Sequence, residues 1–434
     1  MTLLTCTALV VAAVLTAIAG STLRGALHAW RTPEAFEGSG YPAALPPSLS
    51  FSLVVPCRHE AEEVVRATLE RLLRQGHPDV QVVISVGHDD PATSAVAHRL
   101  AGEAAAAAAV VGRRREVLVS VNGDLVKNKP RQLNTALPLC TGDVVGVIDA
   151  ESLTHPDLLE RVDGVFQARQ ADVVQGSVHL VNFRDTWFAL RNCLEYRTWF
   201  RSRLHGAAQV GFVPLGGNTV FTRRALLEEV GGWDPDCLAE DCEIGVRLST
   251  MGKKIVCVYD PALTTREEAP DSLRSLVKQR TRWSLGFMQV LAKGEWRRLP
   301  GLRRRATAWW TLVQPHAMAF TGLVLPFALV VALTAQLPTA VAMLLFVPLV
   351  PTLLTVGFET VILREFGHDL GFRVRWRDQV VLVLTTPLYQ VVLAAASVRA
   401  LWRFVGRDFT WEKTRHSGAH LGLTGAEATA EGAA

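Results

Sequence analysis

The stretch Asp143-Val-Val-Gly-Val-Ile-Asp149-Ala-Glu151 decides the fold class. From Val144 to Ile148 apolar and polar residues do not alternate, so the strand formed there is covered on both faces. The run then stops at two carboxylates one residue apart. A strand buried on both faces belongs to a mostly parallel sheet with helices on each side, and such sheets gather ligands beyond the carboxyl ends of their strands. Comparable runs occupy 52–56, 80–86 and 116–121 before it and 172–178 after it, with helical periodicity between them, as over 61–74. This order predicts an α/β domain over residues 50–292. The alanine-rich stretch 104–109 reads as the end of a surface helix.

Outside that domain the composition changes. Of the 434 residues 49% are apolar and 20% charged, and the surplus apolar residues gather at the two ends. Residues 2–20 form an uncharged run of spanning length followed by Arg24, His28 and Arg31. A cleaved signal peptide wants its basic residues ahead of the run, and only Ala17-Ile18-Ala19 favours cleavage, so 1–22 is read as an anchor with the next domain in the cytosol. A basic interfacial segment at 293–311 carries five arginines within WRRLPGLRRR. Apolar segments at 312–335, 339–362 and 379–401 then give a membrane region of two to three spans at 312–402, ahead of a tail at 403–434. Three spans leave that tail outside, whereas its Arg403, Arg407, Lys413 and Arg415 belong inside; one segment is therefore expected to be re-entrant or interfacial, with Pro387 marking the last as the one to break. These features predict a multi-pass plasma-membrane protein with its α/β domain in the cytosol. The net charge of +4 is too small to argue for nucleic acid, because the arginines sit beside apolar segments where anionic headgroups meet them. Seven cysteines without a CxxC pair indicate neither zinc nor a disulfide framework.

The strand ends carry the chemistry. Asp149 and Glu151 are oxygen donors suited to a hard divalent cation, magnesium or manganese, that bridges a diphosphate, although acidic loops after strands also occur without metal. Glu60, in Cys57-Arg58-His59-Glu60, and Asp89, in Gly87-His88-Asp89-Asp90-Pro91, stand where a base imide and a ribose donate; the plainer readings are a helix cap and a turn. Lys129 lies where a helix opens at 128–134 and either meets phosphate or is a solvated helix start. Glu240-Asp241 precedes an amphipathic helix at 242–251. In a single displacement a carboxylate takes the proton of the attacking hydroxyl, a role open to Asp241, which as a local feature reads as an N-cap. Gln279, Arg282 and Trp283 share one helical face by their spacing, where a guanidinium holds diphosphate bidentately and an indole offers a flat surface to a sugar ring; an interfacial amphipathic helix is the plainer reading.

In order along the chain stand VVPCRHE (54–60), the Asp89-Asp90 loop, NKPRQLN (128–134), DAES (149–152), PLGGNTVF (214–221), GGWDPDCLAEDCEIGVRL (231–248), TTREEAP (264–270) and QRTRW (279–283). By that order the chain resembles, over residues 51–291, the membrane-bound family 2 glycosyltransferases, a group that includes cellulose, chitin, hyaluronan and poly-N-acetylglucosamine synthases. The resemblance implies a GT-A fold and a metal-binding motif at Asp149 and Glu151. It makes Asp241 the base, and Glu60, Asp89, Lys129 and Asp149 nucleotide-contacting positions. Gln279, Arg282 and Trp283 match a motif of polymerising members that, with Glu240, serves acceptor and diphosphate. The implied activity is inverting transfer from a nucleotide diphosphate sugar, UDP-glucose or UDP-N-acetylglucosamine, to a growing polysaccharide at the membrane. A single transfer to a lipid acceptor is the alternative, and a non-catalytic membrane scaffold a second. Two motifs depart from the group's pattern, Asp-Ala-Glu in place of Asp-x-Asp and GHDDP at the nucleotide loop, while WEKTRH (411–416) resembles its recurrent C-terminal element.

Overall fold

A computed structural model describes residues 2–32, 45–111 and 115–413, with 418 and 421. Thr414, Arg415 and His416 of the tail motif lie outside the described residues. The strands are β1 (Phe51–Pro56), β2 (Val80–Gly87), β3 (Arg115–Asn122), β4 (Val144–Val147), β5 (Val173–Gln175), β6 (Val178–Leu180), β7 (Val220–Arg223), β8 (Ile255–Cys257) and β9 (Thr265–Glu267). Seven form one sheet in the order β3-β2-β1-β4-β7-β5-β8, and β6 pairs with β9 in a second. All pairs in the large sheet are parallel except those made by β7, which runs antiparallel between β4 and β5.

The helices are α1 (Leu3–Arg31), α2 (Glu62–Leu73), α3 (Pro91–Val111), α4 (Lys129–Ala136), α5 (Leu158–Arg169), α6 (Trp187–Thr198), α7 (His205–Val210), α8 (Arg224–Glu229), α9 (Glu240–Thr250), α10 (Leu273–Lys293), α11 (Leu302–Thr334), α12 (Thr339–Leu344), α13 (Leu349–Asp369) and α14 (Trp376–Val405). Leu69 and Leu72 of α2, Leu100 of α3 and Phe166 of α5 cover one face of the large sheet. Leu133 of α4, Leu227 of α8 and Ile244 and Leu248 of α9 cover the other, the two-sided burial that β-branched runs such as Val54-Val55 require.

Two expected strands are shorter than their apolar runs. The run at 143–149 ends as strand at Val147, which leaves Asp149 and Glu151 in the loop beyond. The run at 172–178 breaks into β5 and β6: the Gly176 N–H makes the last bond to the β7 side, at the Thr219 carbonyl 2.8 Å away, and from Ser177, whose carbonyl accepts from the Thr265 N–H at 3.0 Å, the chain pairs with β9 in the second sheet.

Four helical stretches among the described residues are long and apolar enough to cross a membrane: α1, α11, Thr339–Asp369 and α14. Ala8, Ala12 and Leu15 of α1 pack on Leu325 and Ala328 of α11, away from the sheet. The later part of α13 returns to the α/β domain, where Glu359 pairs with Arg191 at 2.6 Å and Asp369 with Arg197 at 3.0 Å. α14 departs from the expectation of a helix broken at Pro387, since it runs unbroken through that residue. It meets the domain along its length. Arg184 binds Asp378 at 3.0 Å near its start, Glu195 accepts from the Tyr389 hydroxyl at 2.7 Å in its middle, and Thr281 of α10 donates to the Ala396 carbonyl at 3.3 Å further on.

Candidate active site

The loop after β4, the turn before β7, the first turn of α4 and the start of α9 converge on one ammonium. Lys129 Nζ donates to the Asp149 carboxylate and to the Gly217 carbonyl, 2.7 Å away, and stands 3.9 Å from Glu240 Oε1. Lys129 is placed there by α4, whose N-cap Asn128 accepts from the Arg131 N–H at 3.2 Å. Gly217 has φ +74, and a Cβ on it would stand 2.7 Å from Asp241 Oδ2. A residue without a side chain is thus needed for the turn to lie against that carboxylate.

Asp241 is not the N-cap of α9. Ala239 holds that position, and Asp241 Oδ1 accepts from the next N–H, that of Cys242, at 2.8 Å. Burial pushes the Asp241 carboxyl above its usual range. Glu240 beside it is raised to about 7 by burial and then by the Asp241 charge. Burial also raises Asp149, against the pull of Lys129 and with the push of Glu151. Lys129 gains more from Asp149 and Glu240 than burial takes away, and its pKa rises.

Glu60 does not cap α2, whose N-cap is Ala61; its carboxylate receives Lys413 Nζ at 2.6 Å. Asp90, not Asp89, caps α3 by accepting from the Thr93 N–H at 3.2 Å. Asp89 pairs with Arg58 at 2.9 Å and is the one candidate absent from the wall of the central cavity, which it reaches through Arg58. Glu60, Lys129, Asp149, Glu151, Glu240, Asp241, Gln279, Arg282 and Trp283 all line that cavity of about 740 Å³. On α10, Trp283 lies 5.8 Å from the Tyr196 ring and Arg282 5.8 Å from that of Trp411. Arg282 has no carboxylate or hydrogen-bond partner among the described residues, and the buried Gln279 Oε1 has none either. Away from these groups the same cavity runs between the apolar helices, past Ile18 of α1, Leu325 and Leu329 of α11, Val356 of α13 and Val391 of α14.

Sequence reasoning left Glu267 without a role. It is buried, accepts from Ser152 Oγ at 2.7 Å and from Asn218, and is raised well above the carboxylate range by burial and then by Glu151 and Asp149. Its signal was the TTREEAP stretch, quoted without singling out either glutamate. Among the described residues no three His, Cys, Asp or Glu side chains form a ready cation cage. Yet the donor set of Asp149 and Glu151, backed by Glu267, is all oxygen, and a hard divalent cation would offset the burial and the neighbouring negative charge that raise Asp149 and Glu267.

The fold and sequence have known relatives. Over 382 residues the chain is 26% identical to beta-monoglucosyldiacylglycerol synthase of Nostoc sp., covering 86% of this chain and 77% of that protein. It is 26% identical over 246 residues to the probable glycosyltransferase YdaM of Bacillus subtilis, which covers 56% of each chain. The mannosyltransferase PcManGT of Pyrobaculum calidifontis, solved in complex with GDP-Man and Mn2+, shares the fold with a TM-score of 0.58 at 20% identity, over 90% of this chain and 99% of that one. The family model described as glycosyltransferase like family 2 matches residues 46–286, which include every strand and the whole cluster around Lys129. The chain belongs to that family.

Proposed function

We propose that this enzyme transfers one sugar, with inversion, from a nucleoside diphosphate sugar to a hydroxyl of a lipid acceptor at the membrane. The observation that carries the acceptor is the cavity: one end is walled by Asp149, Asp241 and Lys129, and the other by aliphatic side chains of four apolar helices. A lipid tail fits that second end, and the name of the Nostoc relative, a synthase of monoglucosyldiacylglycerol, supports the same acceptor class. The growing polysaccharide expected from the sequence is the second reading, favoured by Gln279, Arg282 and Trp283 on the cavity wall. A sugar polymer, however, gains nothing from aliphatic walls.

In this reading the acceptor hydroxyl gives its proton to the Asp241 carboxylate and its oxygen bonds to the anomeric carbon. The bond from that carbon to the diphosphate breaks, and its electron pair leaves with the diphosphate. Lys129 and Arg282 supply fixed positive charge to the departing group. Asp149 and Glu151 are the residues to hold a divalent cation, magnesium or manganese, which when bound neutralises diphosphate oxygens. Glu60, with Arg58 and Asp89 behind it, faces the nucleoside, for which UDP is the choice by resemblance. Because α14 lies on the domain, we assign the crossings to α1, α11 and Thr339–Asp369, which returns the tail to the cytosolic side of a plasma membrane together with the catalytic domain. This removes the parity conflict of the tail arginines.

The deciding experiment offers membranes containing the enzyme a panel of labelled nucleoside diphosphate sugars and separates the products. A single-sugar product that partitions into organic solvent is expected. A water-soluble size ladder would return the acceptor to the polysaccharide reading.

A further inference from the structure

The cavity wall between the chemical site and the apolar helices carries an unbalanced set of charges. Arg191, Arg203 and Arg280 line it together with Glu195 and Glu359, three guanidinium groups against two carboxylates. Glu359 is held by Arg191 at 2.6 Å, and Glu195 by Arg280. Arg203 is the one left over. Its only polar contact among the described residues is the thioether of Met318, 3.6 Å from Nη2. Burial lowers its pKa although Glu195 and Glu359 act the other way.

The backbone explains why Arg203 points inward. Residues Trp199–Leu204 form a π-helical turn. In that turn Ser202 donates to the Gly25 carbonyl of α1, and Arg201 lies over the Tyr259 ring at 5.4 Å. These contacts fix the turn on both sides and leave Arg203 on the cavity wall beside Met318 of α11, in a cavity that Leu325 and Leu329 of the same helix also line. A π turn so placed is a frequent mark of a functional position. A guanidinium among apolar walls is costly without an anion, and its planar fork matches phosphate oxygens.

We propose that Arg203 binds the phosphate of the acceptor, so that the acceptor class is a phospholipid carrying a free headgroup hydroxyl rather than an uncharged diglyceride. This rests on the lipid reading above and narrows it. Arg203 holds the phosphate where the walls turn from polar to aliphatic, with the tails along α11 and α13 and the hydroxyl directed to the end of the cavity that holds Asp241.

The test uses the full-length enzyme in an uncharged maltoside detergent, with labelled donor and, as acceptors, phosphatidylglycerol, phosphatidylinositol or diacylglycerol. At least one phosphate lipid is expected to show a KM tenfold or more below that of diacylglycerol. Arg203→Gln should raise that KM at least tenfold with kcat little changed, Arg203→Lys should recover part of the loss, and neither should alter the diacylglycerol KM. Native mass spectrometry supplies a readout independent of turnover: the phosphate lipid remains bound to the parent protein and is lost from Arg203→Gln, while nucleotide binding, a check on folding, is retained. Equal use of diacylglycerol with no effect of Arg203→Gln overturns the assignment and leaves the lipid reading standing. A water-soluble polymer overturns both. If phosphatidic acid stimulates transfer to diacylglycerol through Arg203, the phosphate belongs to a neighbouring lipid, and the assignment to the acceptor falls.

Discussion

Lys413 Nζ stands 2.6 Å from the Glu60 carboxylate, a bond between residues 353 positions apart that brings the segment after α14 onto the loop after β1. The same ammonium donates to the carbonyls of Arg58 and His59. One side chain therefore sets the backbone of the proposed nucleoside loop. A charge-assisted bond of this kind contributes about 1.5–3 kcal/mol. Lys413→Ala is expected to raise the donor KM roughly tenfold or more with a smaller change in kcat, measured by steady-state release of nucleoside diphosphate. An unchanged donor KM would separate the tail from donor binding.

As the proposed base, Asp241 works only when ionised, and burial raises its pKa, so kcat should fall as pH drops through a limb lying above the usual carboxylate range. Glu240, raised to about 7 by burial and then by the Asp241 charge, titrates after Asp241 and is still protonated where Asp241 ionises. Glu240→Gln removes a group that is neutral at that point, so the acid limb should stay in place. Asp241→Asn should lower kcat by about 10²–10⁴ with nucleotide binding retained. The pH profile of kcat for the three proteins decides it; a limb that moves in Glu240→Gln contradicts this order of ionisation.

Chelation should stop nucleoside diphosphate release, and manganese or magnesium should restore it. In Asp149→Asn and Glu151→Gln the metal concentration for half-maximal rate should rise, because each loses a charged oxygen donor. The Asp149 variant also frees Lys129 from its partner, so it should be the more impaired of the two. Full activity in chelator would refute the metal assignment.

Gly286 of α10 lies against the segment that carries Asp241. A Cβ there would stand 2.5 Å from the Ala239 Cβ and 2.7 Å from the Ala239 nitrogen. Gly286→Ala should cost about 1–3 kcal/mol of stability and lower kcat by displacing Glu240 and Asp241. Gly164→Ala in α5, with nothing within 4 Å of the added Cβ, should gain up to about 1 kcal/mol and leave kcat alone. Thermal unfolding and kcat, measured on both variants, give the contrast; equal behaviour would contradict the close packing.

What was legible in the sequence follows from the range of each interaction. Uninterrupted apolar runs end in polar residues at the sheet rim, so β1, β2, β3 and β4 and the acidic loops after them could be placed, and Asp149, Glu240 and Asp241 do meet around Lys129. The break between β5 and β6 could not be read, because it depends on Ser177 leaving β7 and meeting Thr265 on β9, a strand much further along the chain. Capping positions misled locally. Ala61 rather than Glu60 caps α2, and Ala239 rather than Asp241 caps α9, since the turn geometry that selects the cap is tertiary. Glu267 and Lys413 stood in recognisable stretches, TTREEAP and WEKTRH, without a role of their own, and Arg203 had no local pattern; the surroundings of all three come from remote elements.

α14 has one consequence for how the molecule sits. Leu384, Leu388, Val398 and Val405 remain exposed along a single stripe, while Tyr389 and Ala396 on the opposite side face the enzyme. On the proposed assignment of the crossings, a bar of about 45 Å with one greasy edge and the catalytic domain on the other would settle at the boundary between acyl chains and headgroups. It would then act as a float that sets the draught of the whole molecule. On the same assignment, traffic in and out of the reaction chamber would run sideways, within the plane of one leaflet.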